Sequence, residues 1–282
     1  MRNRLLIFTF IFCALAASAQ EERDFVHQTF KDTRVINGHS VETEPKGQMK
    51  FIISHRFGSV SGGVYEMFGL DEATIRIGLD YGITNRLTVG AGRSGLEKTY
   101  DGFLKYKLLR QSKGENSFPL TVTAMSSLAI RTLDFENPDR TNYFSSRMFY
   151  ANQLLIAHKF GGYFSLQVMP THVHRNLVEN TSVDNDVFSI GSAMRIQITK
   201  MLAIQTEYYY TPTGQLSEDV FNNSVSLGID IETKGHNFQL SFTNSRGMIE
   251  KFFIGETRGN ILDGDIYFGF NITRDFRIGE RR

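Results

Sequence analysis

Apolar and polar side chains alternate along most of this chain, most cleanly near its end. Between Asp263 and Phe276, Ile266, Phe268, Phe270 and Ile272 fall on one face of an extended strand, and Asp265, Tyr267, Gly269, Asn271 and Thr273 on the other. Eleven further segments read the same way. They are Gly47 to Phe57, Ala73 to Tyr81, Leu87 to Gly92, Tyr100 to Leu109, Leu120 to Arg131, Met148 to Lys159, Phe164 to His174, Phe188 to Thr199, Leu202 to Tyr210, Ser224 to Glu232 and His236 to Thr243. The sixth and seventh are the least regular. Pro170 in the seventh removes a ladder donor and predicts a bulge there.

The connections carry a second signal. Those after the even segments are short, as at Gly82 to Arg86, Gly161 to Tyr163, Lys200 to Met201 and Thr233 to Gly235. Those after the odd segments are mostly long, as at Gly58 to Glu72, Leu133 to Arg147, Thr211 to Asn223 and Asn244 to Leu262. A soluble sandwich has no reason to segregate its loops this way. Short inner turns alternating with long outer loops are what an even-stranded outer-membrane barrel requires, with both termini periplasmic. The sequence therefore predicts an all-β fold, an antiparallel up-and-down transmembrane β-barrel of about 12 strands. Its last strand, ending on the aromatic Phe276, seals the cylinder, because an open edge in lipid leaves backbone groups unpaired.

The first residues place the chain in that compartment. Arg2 and Arg4 precede an apolar run from Leu5 to about Leu15, and Ala17-Ser18-Ala19 forms a small-x-small site before Gln20-Glu21-Glu22. Residues 1–19 are read as a secretory signal peptide cleaved after Ala19, residues 20–46 as a polar periplasmic segment that folds into the barrel mouth, and residues 47–282 as the barrel. Cys13 is the single cysteine, so the exported chain has no disulfide, thiolate metal site or cysteine nucleophile. Losing Arg2 and Arg4 leaves 29 basic against 30 acidic side chains, a balance that gives no reason to expect nucleic acid as a partner. A composition of 24 Phe, 11 Tyr and 25 Gly with 5 Pro suits a large antiparallel sheet.

Three stretches also look familiar: Thr33-Arg34-Val35-Ile36-Asn37-Gly38-His39-Ser40-Val41-Glu42, Ala73 to Gly82, and Lys98 to Lys107. With Gly255-Glu256-Thr257 and the closing Gly264 to Phe270, they resemble a family of uncharacterised bacterial outer-membrane β-barrel proteins, domain of unknown function 5777. The resemblance implies the barrel and the outer membrane but no activity.

Candidate chemistry is sparse. Gly90-Ala91-Gly92-Arg93-Ser94-Gly95 matches a dinucleotide fingerprint, but a strand follows where a helix is needed, so no cofactor is expected. His172 and His174 share a strand face at chelate spacing without a third ligand, and read as a solvated rim pair. Ser145, Ser146 and Asp186 with these histidines are the parts a barrel hydrolase would use, yet no motif links them; the chain is read as a non-enzyme. Tyr106, Tyr208, Tyr209, Tyr210 and Phe276 are expected in interfacial girdles.

The polar face supplies the candidate lumen lining: Arg76, Asp80, Lys105, Lys107, Arg131, Arg195, Glu207, Asp230 and Glu232. Lys105 and Lys107 either select anions or pair with acids such as Asp80 and Glu207. The leading expectation is a narrow passage for small polar or charged solutes. The alternative is a non-conducting barrel whose loops, above all Asn244 to Leu262 with Met248, Ile249, Phe252, Phe253 and Ile254, plug the mouth or dock a partner. The implied partners are the lipid bilayer, the barrel-assembly machinery acting on the closing strand, and a small solute.

Overall fold

The structure, a computed structural model, describes residues 24–135, 137–139, 141–178, 183–217 and 219–278. The expected signal peptide lies outside the described residues. Twelve antiparallel strands close into one barrel. In chain order they are β1 (Gln48–Ser59), β2 (Ala73–Gly82), β3 (Leu87–Ser94), β4 (Tyr100–Leu109), β5 (Thr121–Ile130) and β6 (Met148–Phe160). The second half is β7 (Phe164–Arg175), β8 (Asp186–Gln197), β9 (Leu202–Tyr210), β10 (Ser224–Glu232), β11 (His236–Thr243) and β12 (Tyr267–Arg277). Each strand pairs with its sequence neighbours. The seam joins β12 to β1, with Phe270 opposite His55 and Ile272 opposite Ile53, and the Ile278 N–H donates to the Gly47 carbonyl at 2.9 Å.

The alternation faces the way lipid demands. In β2, Ile75, Ile77 and Leu79 are 43%, 50% and 44% exposed on the outside, while Arg76 and Asp80 are 2% and 0% exposed on the inside. A soluble barrel would reverse these faces. Among the described residues no helix is long and apolar enough to cross a membrane; the crossing is made by strands.

Two local expectations are corrected. No bulge forms at Pro170, which pairs with Ile190 in unbroken register. Its other edge leaves Leu154 and Leu155 out of the ladder and resumes in the same register, so the missing donor opens a gap without inserting a residue. The irregularities fall elsewhere, between Tyr267 and Gly269 at the seam and between Lys107 and Leu109 in β4. Tyr209 is not a girdle residue. Strand alternation turns it inward, 1% exposed, while Tyr208 and Tyr210 on either side point out.

The irregularity of β6 and β7 has a packing cause. Their inner face carries Ala151, Leu155 and Ala157 on β6 and Met169 and Val173 on β7, all buried, so both faces are partly apolar and the period fades. Something apolar must fill the lumen beside them.

Candidate functional site

The filling is the chain's own N-terminal segment. Residues 29–44 lie inside the cylinder, deeper than a lead-in at the mouth, because they present both apolar side chains and unsatisfied backbone to the inner wall. At their centre Thr33 to Ser40 fold back as a tight hairpin. The Val35 N–H donates to the Gly38 carbonyl at 2.9 Å and the Ser40 N–H to Thr33 at 3.0 Å. The turn residues Asn37-Gly38 sit at its tip.

Glu207 holds that tip. Its carboxylate accepts the backbone N–H groups of Ile36, Asn37 and Gly38 at 2.8, 2.9 and 3.0 Å. Three converging donors around one buried carboxylate replace the hydration it lost. Gly38 is required here by close approach: a Cβ would come within 1.9 Å of the Tyr209 hydroxyl. The Asn37 amide donates to Ser226 at 3.1 Å and its carbonyl accepts from Arg56 at 2.7 Å.

The rest of the segment is bound the same way. Lys105 donates to the Thr33 and Ser40 carbonyls, both at 3.1 Å, and Gln239 and Asn271 donate to those of Val35 and Ile36 at 2.7 and 2.8 Å. The Val41 N–H donates to Gln167 at 2.8 Å, and the Thr33 hydroxyl donates to Asp80 at 2.9 Å. Lys107 pairs with Glu42 at 3.2 Å. Every buried backbone polar group needs a partner, and a strand's inner face supplies side chains where a sheet would supply backbone.

The periplasmic end is ionic. Lys50 contacts Asp32 at 2.8 Å and Glu44 at 3.0 Å. Burial alone would raise the Asp32 carboxyl, but Lys50 and hydrogen bonds from Thr273 and the Thr33 N–H outweigh it and bring it down to about 2. For Glu44 burial prevails over Lys50, with Asp275 adding repulsion, and the carboxyl is pushed up to about 7. A cavity of about 480 Å³ opens below these groups.

The apolar side of the segment meets β5 to β9. Phe30, Val35, Ile36 and Val41 form one buried cluster with Met125, Leu155, Met169, Val173 and Val187. The other end of that cluster belongs to the last outer loop, which turns into the barrel as helix α1 (Glu250–Gly255), with all six residues buried. Phe253 packs on Tyr209 with ring centroids 5.0 Å apart, and Glu250 approaches His39 of the hairpin at 3.6 Å. Hairpin and helix thus touch, and the space between His39, Phe103 and Glu250 is about 10 Å³, room for one water. Above α1 lies an outer vestibule of about 770 Å³.

Of the residues expected to line the lumen, Arg76, Asp80, Lys105, Lys107, Arg195, Glu207 and Asp230 are buried on the inner face. They bind the segment or one another: Arg76 grips Asp101 at 2.9 Å, and Arg195 lies 3.5 Å from Asp230 and 2.7 Å from Glu232. Glu232 also meets Lys31 at 2.9 Å at the periplasmic mouth, whereas Arg131 is half-buried in the outer vestibule. Instead of facing a wet lumen, the two lysines touch the N-terminal segment. The binding residues missed in the sequence are Arg56, Gln167, Gln239 and Asn271, neutral or solitary side chains with no pattern to mark them; the clue was the unexplained polar segment before β1.

The outward polar groups singled out in the sequence are placed as follows. His172 and His174 both contact one oxygen of Asp186 at 2.8 Å. Among the described residues no serine hydroxyl is hydrogen-bonded to either histidine, and no group of three His, Cys, Asp or Glu is placed to hold a metal ion. Gly90 to Ser94 belong to β3, and Gly95 leads into a three-residue 3-10 turn, Leu96–Lys98, in place of the α-helix that the dinucleotide fingerprint needs.

Solved barrels share this architecture. The NanC porin is similar over 81% of this chain and 100% of its own, at 10% identity and a TM-score of 0.51. An outer membrane channel from Pseudomonas putida F1 is similar over 84% and 98%, at 14% identity and 0.47. The Acinetobacter baumannii outer membrane protein Omp33 is similar over 82% and 99%, at 9% identity and 0.46. At 10% identity the likeness to the NanC porin is one of fold. No curated protein matches the sequence. Residues 30–276, hairpin included, match the membrane-bound β-barrel domain family DUF5777, and the chain belongs to that family.

Proposed function

We propose that this chain works as a closed outer-membrane barrel, sealed by its own N-terminal segment, and that it acts at its outer mouth rather than by passing solute. The observation that carries the reading is the use made of the inner wall. Glu207, Lys105, Lys107, Gln167, Gln239 and Asn271 each bind residues of the segment, so the polar face that would conduct ions is occupied by backbone and ion pairs. Met248, Ile249, Phe252, Phe253 and Ile254, between 0% and 6% exposed, add a second seal from outside. Export with cleavage after Ala19, and insertion by the barrel-assembly machinery acting on β12, belong to the same proposal.

The test is planar-bilayer conductance of the refolded mature chain. The intact protein stays silent, and so does a variant lacking the 244–262 loop, because the hairpin still fills the lumen beneath it. Removal of residues 29–44 together with the 244–262 loop, which takes away both seals, gives discrete current steps. Steady, ion-selective steps from the intact chain would overturn the proposal and restore the passage for small solutes.

A further inference from the structure

Lipid-facing positions of β4 to β8 are mostly apolar, as Leu104, Leu154, Val168 and Ile190 are, but one row across this wall is not. Ser126, Asn152 and His172 stand directly opposite one another on β5, β6 and β7, all on the outer face. Asn152 is the fifth residue of β6 from its outer end. At about 3.3 Å per residue and a tilt of about 45°, the row lies about 9 Å down the wall, in its outer-leaflet half.

Two members of the row already have partners. The His172 ring is bound by Asp186 at 2.8 Å and stacks on Phe188 with ring centroids 4.9 Å apart. The Ser126 hydroxyl donates to the Asn152 side-chain oxygen at 2.8 Å. The Asn152 amide nitrogen is left over: among the described residues nothing accepts its protons. On a soluble sheet water would take them. Against a bilayer an unused donor is costly, and a polar side chain kept there marks a place for a partner.

The row heads an apolar groove of about 690 Å³ on the same wall. Its shape follows from the register. Ala124, Ser126 and the compact Pro170 lie between Leu104 and Tyr106 on β4 and Phe188 and Ile190 on β8, and the ladder lapses on this floor where Leu154 faces Pro170. An apolar depression with one placed donor at its outer end suits an apolar chain that ends in an acceptor. We propose that this groove holds one acyl chain of an outer-leaflet lipid, with the Asn152 amide donating to the carbonyl of the ester or amide link that carries the chain. The occupant is a lipid because the groove opens onto the bilayer, and because an acyl carbonyl accepts a hydrogen bond without bringing a second unmatched donor. The site is on the outside of the wall, so it stands whether or not the lumen conducts.

The experiment is a lipid titration of the refolded mature chain in detergent, read by native mass spectrometry. The probes are a diester phosphatidylcholine and the diether phosphatidylcholine of equal chain length, which has no acyl carbonyl. One diester lipid binds saturably, and the diether binds about fivefold more weakly, the effect of one hydrogen bond. Asn152→Leu weakens the diester by about fivefold and leaves the diether unchanged. Ala124→Phe fills the floor and weakens both by at least about tenfold, since the chain loses buried area. Leu240→Ala, an exposed position on β11 away from the groove, binds as the parent does. Heat-modifiable mobility confirms that each variant has folded. Absence of saturable binding, equal binding of diester and diether, or equal losses in Leu240→Ala and Ala124→Phe would overturn the inference. So would a dimer that Ala124→Phe splits, which would assign the groove to a second copy of the chain.

Discussion

Replacing Glu207 should loosen the hairpin from the wall by an amount that can be counted. Its two oxygens accept three backbone N–H groups, Oε1 from Ile36 and Gly38 and Oε2 from Asn37. Glu207→Ala orphans all three inside the barrel, and each orphaned donor costs about 1 to 3 kcal/mol. Water entering the space restores part of this, so the low end applies, giving about 3 kcal/mol against docking. At 1.36 kcal/mol per factor of ten, the undocked fraction rises at least about a hundredfold. Glu207→Gln keeps one acceptor, which retains the Ile36 and Gly38 donors and opposes an amide to the Asn37 N–H, for a rise of about tenfold. Residues 20–282 hold no cysteine, so in a chain that starts at Gln20, Ile36→Cys introduces a unique thiol on a residue 2% exposed. Its alkylation by a soluble maleimide reports the undocked fraction when redocking is fast. The expected order is Ala far above Gln, and Gln above the parent, with the folded barrel confirmed by its heat-modifiable mobility. Equal labelling in all three would refute the claim that Glu207 anchors the hairpin.

Two further predictions use the same thiol. Gly38→Ala drives a methyl group into the Tyr209 hydroxyl and should raise labelling by about tenfold, the effect of overpacking by 1 to 3 kcal/mol; restoring space with Tyr209→Phe should bring the rate back down. Docking should also weaken as pH rises. Glu44 sits at about 7 in the folded chain against 4.5 unfolded, so its contribution, about 3 kcal/mol, is full below 4.5 and lost as pH passes 7. Labelling corrected for thiolate fraction should climb between pH 5 and 8, and Glu44→Gln should flatten the rise. Asp32 acts in the opposite sense, its contribution present above 3.8 and lost as pH falls through about 2.

The barrel was legible because lipid imposes a simple code. Outward positions such as Ile75, Ile77 and Leu79 must be apolar, their neighbours need not be, and the twelve expected segments coincide with β1 to β12 to within a few residues. What fills the barrel was not legible. An inner face lined with Arg, Lys, Asp and Gln looks the same whether it meets water or the backbone of another segment. Only residues 29–44, polar in pattern yet holding Phe30, Val35, Ile36 and Val41, hinted at a partner, and their contacts reach up to 241 residues along the chain, as between Asp32 and Thr273. The doubled apolarity of β6 and β7 was the complementary sign. The outer vestibule was less visible still, since its lining residues come from separate outer loops and share no spacing.

The central claim is that the N-terminal segment is part of the folded lumen. Hydrogen–deuterium exchange of the mature chain in micelles, read at the amides of Ile36, Asn37, Gly38 and Val41, tests it most directly. Each donates to a buried wall carboxylate or amide, so protection should approach that of strand amides in β9 and β10. Exchange at the rate of an unfolded chain would contradict it, and the polar inner wall would then meet water instead of the segment.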